Sequence, residues 1–258
     1  MKLIFDHRMF RHINESAIKE RGSASKALVM AERLLQKKPI VFLLSIFERV
    51  VSLFLNLPIP LYSSLVYAWI TNSRGLPHFF GNYLRALYYR PRLGHMDPNV
   101  FIDQGVCFAF PSGVSLSEFS FIDKGVIIMS KTATVGRRVH IAPHVFISGG
   151  GHFEIQDYAC IATGSKIITS TEVLKDGARC SGPMVSADQR NVLRGNVKIE
   201  KDAFVGANVT ILPNVTMKQG SVAGAGVTLA RDTEEWGIYA LPLAKKIAER
   251  DPVRYEDN

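Results

Sequence analysis

Between residues 199 and 229 an aliphatic side chain, or one close to it in character, returns at every sixth position: Ile199, Val205, Ile211, Met217, Ala223 and Leu229. Neither common period accounts for this, since a helix repeats near 3.6 residues and a half-buried strand about every 2. The same interval recurs upstream in groups: Ile102 and Phe108; Leu116, Ile122 and Ile128; Val135, Ile141 and Ile147; Ile155, Ile161 and Ile167. The phase slips by a residue or two between groups, where a turn takes an insertion. The fifth position of a hexad is small or β-branched, as at Val126, Ala159, Ser165, Ala203, Val209, Val215, Ser221 and Val227. Gly136, Gly206 and Gly224 directly follow the aliphatic position. A coil of three short flat strands meets these demands. The aliphatic residue points into a triangular interior, the small residue fits beside the corner, and each coil stacks on the one before at about 4.8 Å. The expected fold is therefore mainly β, a parallel solenoid with three hexads per coil and about six coils.

The first third reads differently. Residues 24 to 37 carry a Ser cap and helix-forming composition, and the apolar runs after Pro39 continue the helical pattern. Residues 1–96 are expected to be a helical region, 97–232 the solenoid with an external loop at 168–196, and 233–258 a short C-terminal helix and tail. Residues 39–70 are the most apolar part of the chain, but Glu48 and Arg49 interrupt them. Each charge at the centre of a span costs roughly 2.5–3.5 kcal/mol, which disfavours a true span. Two readings stay open: a buried helical hairpin broken at Pro58 and Pro60, or peripheral contact with a membrane surface. The N-terminus mixes charges into its apolar residues and does not read as a secretory signal.

The 31 Lys and Arg against 23 Asp and Glu leave a formal charge of +8, which favours anionic partners without choosing among them. Cys107, Cys160 and Cys180 are widely spaced and form no zinc or redox pattern, which fits a reduced, cytoplasmic setting. The Arg-rich, aromatic stretch YLRALYYRPRLG, residues 83 to 94, is read as a basic helix end that packs on the following domain, so no nucleic-acid partner is expected.

VKIEKDAFVGANVTILPNV, then GSVAGAGVTLARD, then EEWGIYALPLAKKI resemble the last coils and closing segment of the hexapeptide-repeat acyltransferases, in the branch that modifies sugars. The resemblance covers about residues 97 to 250. It implies a left-handed parallel β-helix, a homotrimer, acetyl-coenzyme A as acyl donor with no metal, and a sugar or nucleotide-sugar acceptor of surface-polysaccharide synthesis. By position, Ala207, Gly224 and Ala225 match residues that meet the pantetheine arm in that family. Ala230, Arg231, Lys245 and Lys246 match those near the nucleotide.

Acyl transfer needs a group to take a proton from the attacking hydroxyl or amine. In one large subgroup this is a His within a Thr-His-Pro pattern, where this chain instead has Ser170, Thr171 and Glu172. The remaining candidates are His152, in SGGGHFEIQD, and the carboxylates Glu172 and Asp188 of the external loop. His144 and Ser170, with Arg179 and Arg190, are candidate contacts to a polar or phosphorylated acceptor, because Arg grips such groups bidentately. Two other classes remain: a non-catalytic, membrane-associated scaffold, and a zinc enzyme like the carbonic anhydrases of this fold, to which His140 and His144 invite comparison.

Overall fold

The computed structural model describes residues 3–21, 23–72, 78–182 and 184–241. From residue 95 onward the hexads form three parallel sheets, one strand of each per coil. The first sheet holds six strands, from His95–Met96 to Thr216–Met217; the second holds seven, from Phe101–Ile102 to Ile238–Tyr239; the third holds six, from Cys107–Phe108 to Thr228–Leu229. Register is carried by the aliphatic positions: Ile122 pairs with Ile141, Ile161 with Val205, and Ile167 with Ile211. Those side chains are sealed inside, with Ile122, Ile141, Ile167 and Ile211 at 0% exposure, while the residue before each faces outward. A period of six arises because two strand residues and a four-residue corner fill each side of the triangle.

The first strand begins at His95, two residues ahead of the expected boundary at 97. At the other end, Ile238–Tyr239 pairs with Val222–Ala223, so the segment after 232 first adds a strand to the second sheet. The helix expected beyond it, with Lys245 and Lys246, lies outside the described residues.

Among the described residues five helices precede the solenoid: α1 (His7–Arg21), α2 (Lys26–Leu34), α3 (Lys38–Leu55), α4 (Pro60–Asn72) and α5 (His78–Tyr89). An open solenoid end exposes apolar interior and needs a cap. Here α5 supplies it with buried Ala86, Leu87, Tyr88 and Tyr89. The basic stretch from 83 to 94 is thus turned largely inward. Arg85 donates to Ile102 O (2.7 Å) and pairs with Asp103 (3.2 Å), both side chains being buried, and Arg92 lies 3.6 Å from the Tyr88 ring centre. Tyr89 donates to Val106 O.

A second fastening joins the N-terminal strand of chain to the first coil. Asn99 N–H donates to Ile4 O (2.7 Å), Asp6 N–H donates to Asn99 Oδ1, and Asn99 Nδ2 donates back to Asp6 Oδ1. Arg8 then bridges Asp6 to Glu118 with a bidentate contact at 2.8 and 3.0 Å. Burial alone would raise the Asp6 carboxyl, but the hydrogen bonds from Arg8 and Asn99 outweigh it and hold it below its ordinary value. A carboxylate depressed in this way adds stability above its unfolded pKa, near 3.9, and loses it as pH falls through the folded value. Asp6→Asn should therefore lower stability at neutral pH by about 1 kcal/mol, a modest figure because the pair is partly in solvent. The difference from the parent should close in acid; a urea midpoint measured against pH reads it.

The hairpin α3–α4 is broken between Leu55 and Pro60 and bent by 116°. Of the two readings of residues 39–70, burial is corrected: Phe42, Leu43, Leu53 and Leu61 are all more than 60% exposed. Among the described residues no single helix is long and apolar enough to cross a membrane.

Candidate functional site

The third sheet and its two bounding corners gather most of the candidate residues. After Ile168 the chain leaves the solenoid as an antiparallel pair, Ser170–Glu172 with Val192–Arg194, and returns at Asn196. Thr169, fully buried, ties the neck. It accepts from Gly195 N–H at its carbonyl (2.9 Å), donates from Oγ1 to Ser148 O (2.7 Å), and receives Gly151 N–H at the same oxygen (3.1 Å).

The neck rests on the triplet Gly149, Gly150 and Gly151. A Cβ at Gly149, which has φ +89°, would strike Ser170, and one at Gly151 would strike the carbonyl oxygens of Thr169 and Gly195. His152 follows immediately, so the glycines bring Ser170 and His152 to one corner. The His152 imidazole is exposed, with Nδ1 2.6 Å from Thr132 Oγ1 on the preceding coil. In the tautomer whose Nδ1–H donates to that hydroxyl, Nε2 carries the lone pair, the form a general base needs.

The other loop candidates sit further out. Arg179 and Arg190 face each other across an isolated bridge, and with Asp188 they line a polar cleft of about 380 Å³ that also includes Lys175 and Asp176. Glu172 accepts from Ser181 Oγ at 3.1 Å. The candidate catalytic and acceptor-binding residues at this end are therefore in two groups: His152 and Ser170 near the neck, and Arg179, Asp188 and Arg190 around the distal cleft. His144 lies at the opposite corner of the third sheet, its imidazole over Gly125. Its φ of +61° belongs to the corner, since Gly125 and Gly164 in the neighbouring coils are also left-handed.

Ala207 and Gly224 with Ala225 occupy successive coils at the corner leading into the third sheet, joined by Gly226 N–H to Ala207 O. Ala230 and Arg231 lie at the exit from the same sheet, both exposed. Between these edges the outward residues are Thr210 and Thr228, stacked in register. This is a flat face without bulky groups, on which an extended chain carrying amides can approach closely. Sequence reading missed Thr132 and Thr169. The glycine triplet was the available signal for the neck, because such a run inside a solenoid coil marks close backbone approach.

Among the described residues no group of three or more His, Cys, Asp or Glu converges as a metal site would require, so the zinc reading finds no ligand set there.

These features define the fold class: a parallel β-solenoid that matches solved left-handed β-helix structures of acyltransferases. No family model matches the chain. Among particular proteins, it is similar to the dTDP-4-amino-4,6-dideoxy-D-glucose acyltransferase of Escherichia coli, 33% identical over 112 residues, or 43% of this chain and 58% of that one. It is also similar to the bifunctional protein GlmU of Nitrosomonas eutropha, 28% identical over 136 residues, or 46% of this chain and 29% of that one. The chain thus spans less than two thirds of either curated relative. Among solved structures it is similar to a variant of AntD, an N-acyltransferase from Bacillus cereus, in complex with dTDP and coenzyme A. The TM-score is 0.55 with 25% identity, over 62% of this chain and 87% of that one.

Proposed function

We propose that this chain is an acyltransferase that moves an acyl group, acetyl in the first instance, from a coenzyme A thioester to an amine or hydroxyl of a nucleotide-linked sugar in surface-polysaccharide synthesis. The observation that carries the reading is the stretch of the third sheet at Thr210 and Thr228, bounded by Ala207, Gly224 and Ala225 on one side and Ala230 and Arg231 on the other. Support comes from the Escherichia coli relative, whose name specifies a dTDP-amino sugar, and from the AntD complex holding dTDP and coenzyme A. These favour an amine acceptor over a hydroxyl.

In this reading the acceptor nitrogen attacks the thioester carbonyl carbon, the carbon–sulfur bond breaks, and the proton lost by nitrogen passes to His152 Nε2 and then to the departing thiolate. Ser170 lies against Gly149, three residues before the base. Arg179 and Arg190 hold the acceptor's phosphates, with Glu172 and Asp188 as the nearby carboxylates, and His144 lines the entrance. Arg231, Lys245 and Lys246 take the charged nucleotide end of the donor. The working state is a homotrimer, with the donor lying between the third-sheet face of one copy and its neighbour. The setting is the cytoplasm, at the inner face of the membrane, on which residues 39–70 rest.

Thiol release from acetyl-coenzyme A, measured against dTDP-linked amino sugars and their hydroxyl counterparts, tests this directly. Release with an amino sugar and none with its hydroxyl counterpart is the expected outcome. A folded protein that binds no coenzyme A and releases no thiol whichever sugar is supplied would instead be a scaffold.

A further inference from the structure

Helix α3 is inside out for a surface helix in water. Its outward stripe is Phe42, Phe47, Val50, Leu53 and Phe54, each 55 to 71% exposed. Its inward side carries polar groups beside Leu55, which is buried, and Val51, which packs on the core. Glu48 is buried and accepts from Ile4 N–H and Tyr83 O–H, Ser52 donates to Leu87 O, and Asn56 donates to Ser52 O. A helix between protein and water shows the opposite arrangement. Helix α4 continues the apolar surface with Leu61, Leu65 and Trp69.

Charge completes the pattern. From residue 37 to 72 the only acidic residue is Glu48, which is turned inward, and burial pushes its carboxyl up. The exposed charges there are Lys37, Lys38 and Arg49, all positive. Beside the apolar stripe opens a cleft of about 440 Å³ lined by Glu48, Arg49, Leu53, Asn56, Leu87 and Arg90. Among the described residues neither the Arg49 nor the Arg90 guanidinium makes a hydrogen bond or ion pair, although Arg90 interacts with Glu48 at longer range.

We propose that the α3–α4 face lies in the headgroup layer of an anionic bilayer, and that Arg49 and Arg90 seat the phosphate of an acidic phospholipid in this cleft. The apolar stripe meets acyl chains, Trp69 suits the interface, and the exposed cations match a negative surface. A second copy docked through this face would set like charges together, which disfavours that occupant. The inference deepens the membrane contact proposed above for residues 39–70 and is independent of the acyl-transfer reading.

Flotation of the full chain with phosphatidylcholine vesicles, and with the same lipid containing phosphatidylglycerol, tests it. The parent should prefer the anionic vesicles by at least about tenfold. Arg49→Gln with Arg90→Gln should remove most of that preference while weaker binding to phosphatidylcholine persists. Lys37→Gln with Lys38→Gln removes the same charge outside the cleft and should cost clearly less; thermal melts of all three proteins establish folding. Equal losses from the two double variants, or equal binding of the parent to both vesicles, would overturn the phosphate seat and leave the membrane contact. A folded parent that floats with neither vesicle overturns both. If light scattering then finds an oligomer that Phe47→Lys dissociates, the face belongs to a second copy.

Discussion

Replacing Ile128 by Ala will cost about 2–5 kcal/mol of stability, whereas the same change at Ile127, one residue earlier, will cost less than about 1 kcal/mol. The two residues form a single strand of the third sheet, yet Ile128 is 0% exposed and Ile127 is 36% exposed. Ile128 stacks in register between Phe108 and Ile147, so truncation leaves a cavity that neighbouring coils cannot close without moving their own strands. Ile127 loses only part of a surface contact. Because each coil leans on its neighbours alone, the damage at Ile128 should also separate the unfolding of the coils before and after it, seen as a broader urea transition. Comparable losses at the two positions would mean that the register of the hexads is wrong.

The second large effect concerns catalysis. His152→Ala should reduce acyl transfer by roughly 10²–10⁴-fold, the usual contribution of a positioned base, with coenzyme A affinity unchanged. The side chain is exposed, so the fold should not suffer. Thr132→Val removes the hydroxyl that holds Nδ1 and should produce a smaller loss, expressed in kcat rather than KM. Full activity in His152→Ala would remove that residue from the mechanism and leave proton transfer to Glu172, Asp188 or the leaving thiolate.

The hexads were legible because a triangular coil imposes its period on every side chain it buries: Ile102, Ile122, Ile141 and Ile161 report one wall of the prism in succession. The helical third was legible only as helix. Its inverted helix α3 does not emerge from apolar content, since Glu48 and Ser52 read equally well as an outward polar stripe until their partners Ile4, Tyr83 and Leu87 are placed. Those contacts span up to 44 residues of sequence, and no local pattern encodes them. The site was legible in part. His152 and Ser170 stood out by residue type, but placing Ser170 over the glycine triplet that precedes His152 depends on Thr169 closing the neck, a long-range arrangement. Thr132 lies a full coil away from His152 and becomes its partner only through the register of the first sheet. Asp188, Arg179 and Arg190 share a cleft because the loop folds back on itself, which charge composition alone does not specify.

The most direct test of the account is calorimetric titration of the folded protein with acetyl-coenzyme A and with coenzyme A. The flat face between Ala225 and Arg231 predicts micromolar binding of both, weakened when Arg231 is changed to Ser and blocked when Gly224 is changed to Trp. Absence of binding at millimolar ligand, by a protein that melts cooperatively, would contradict the acyltransferase reading and leave the solenoid as a scaffold.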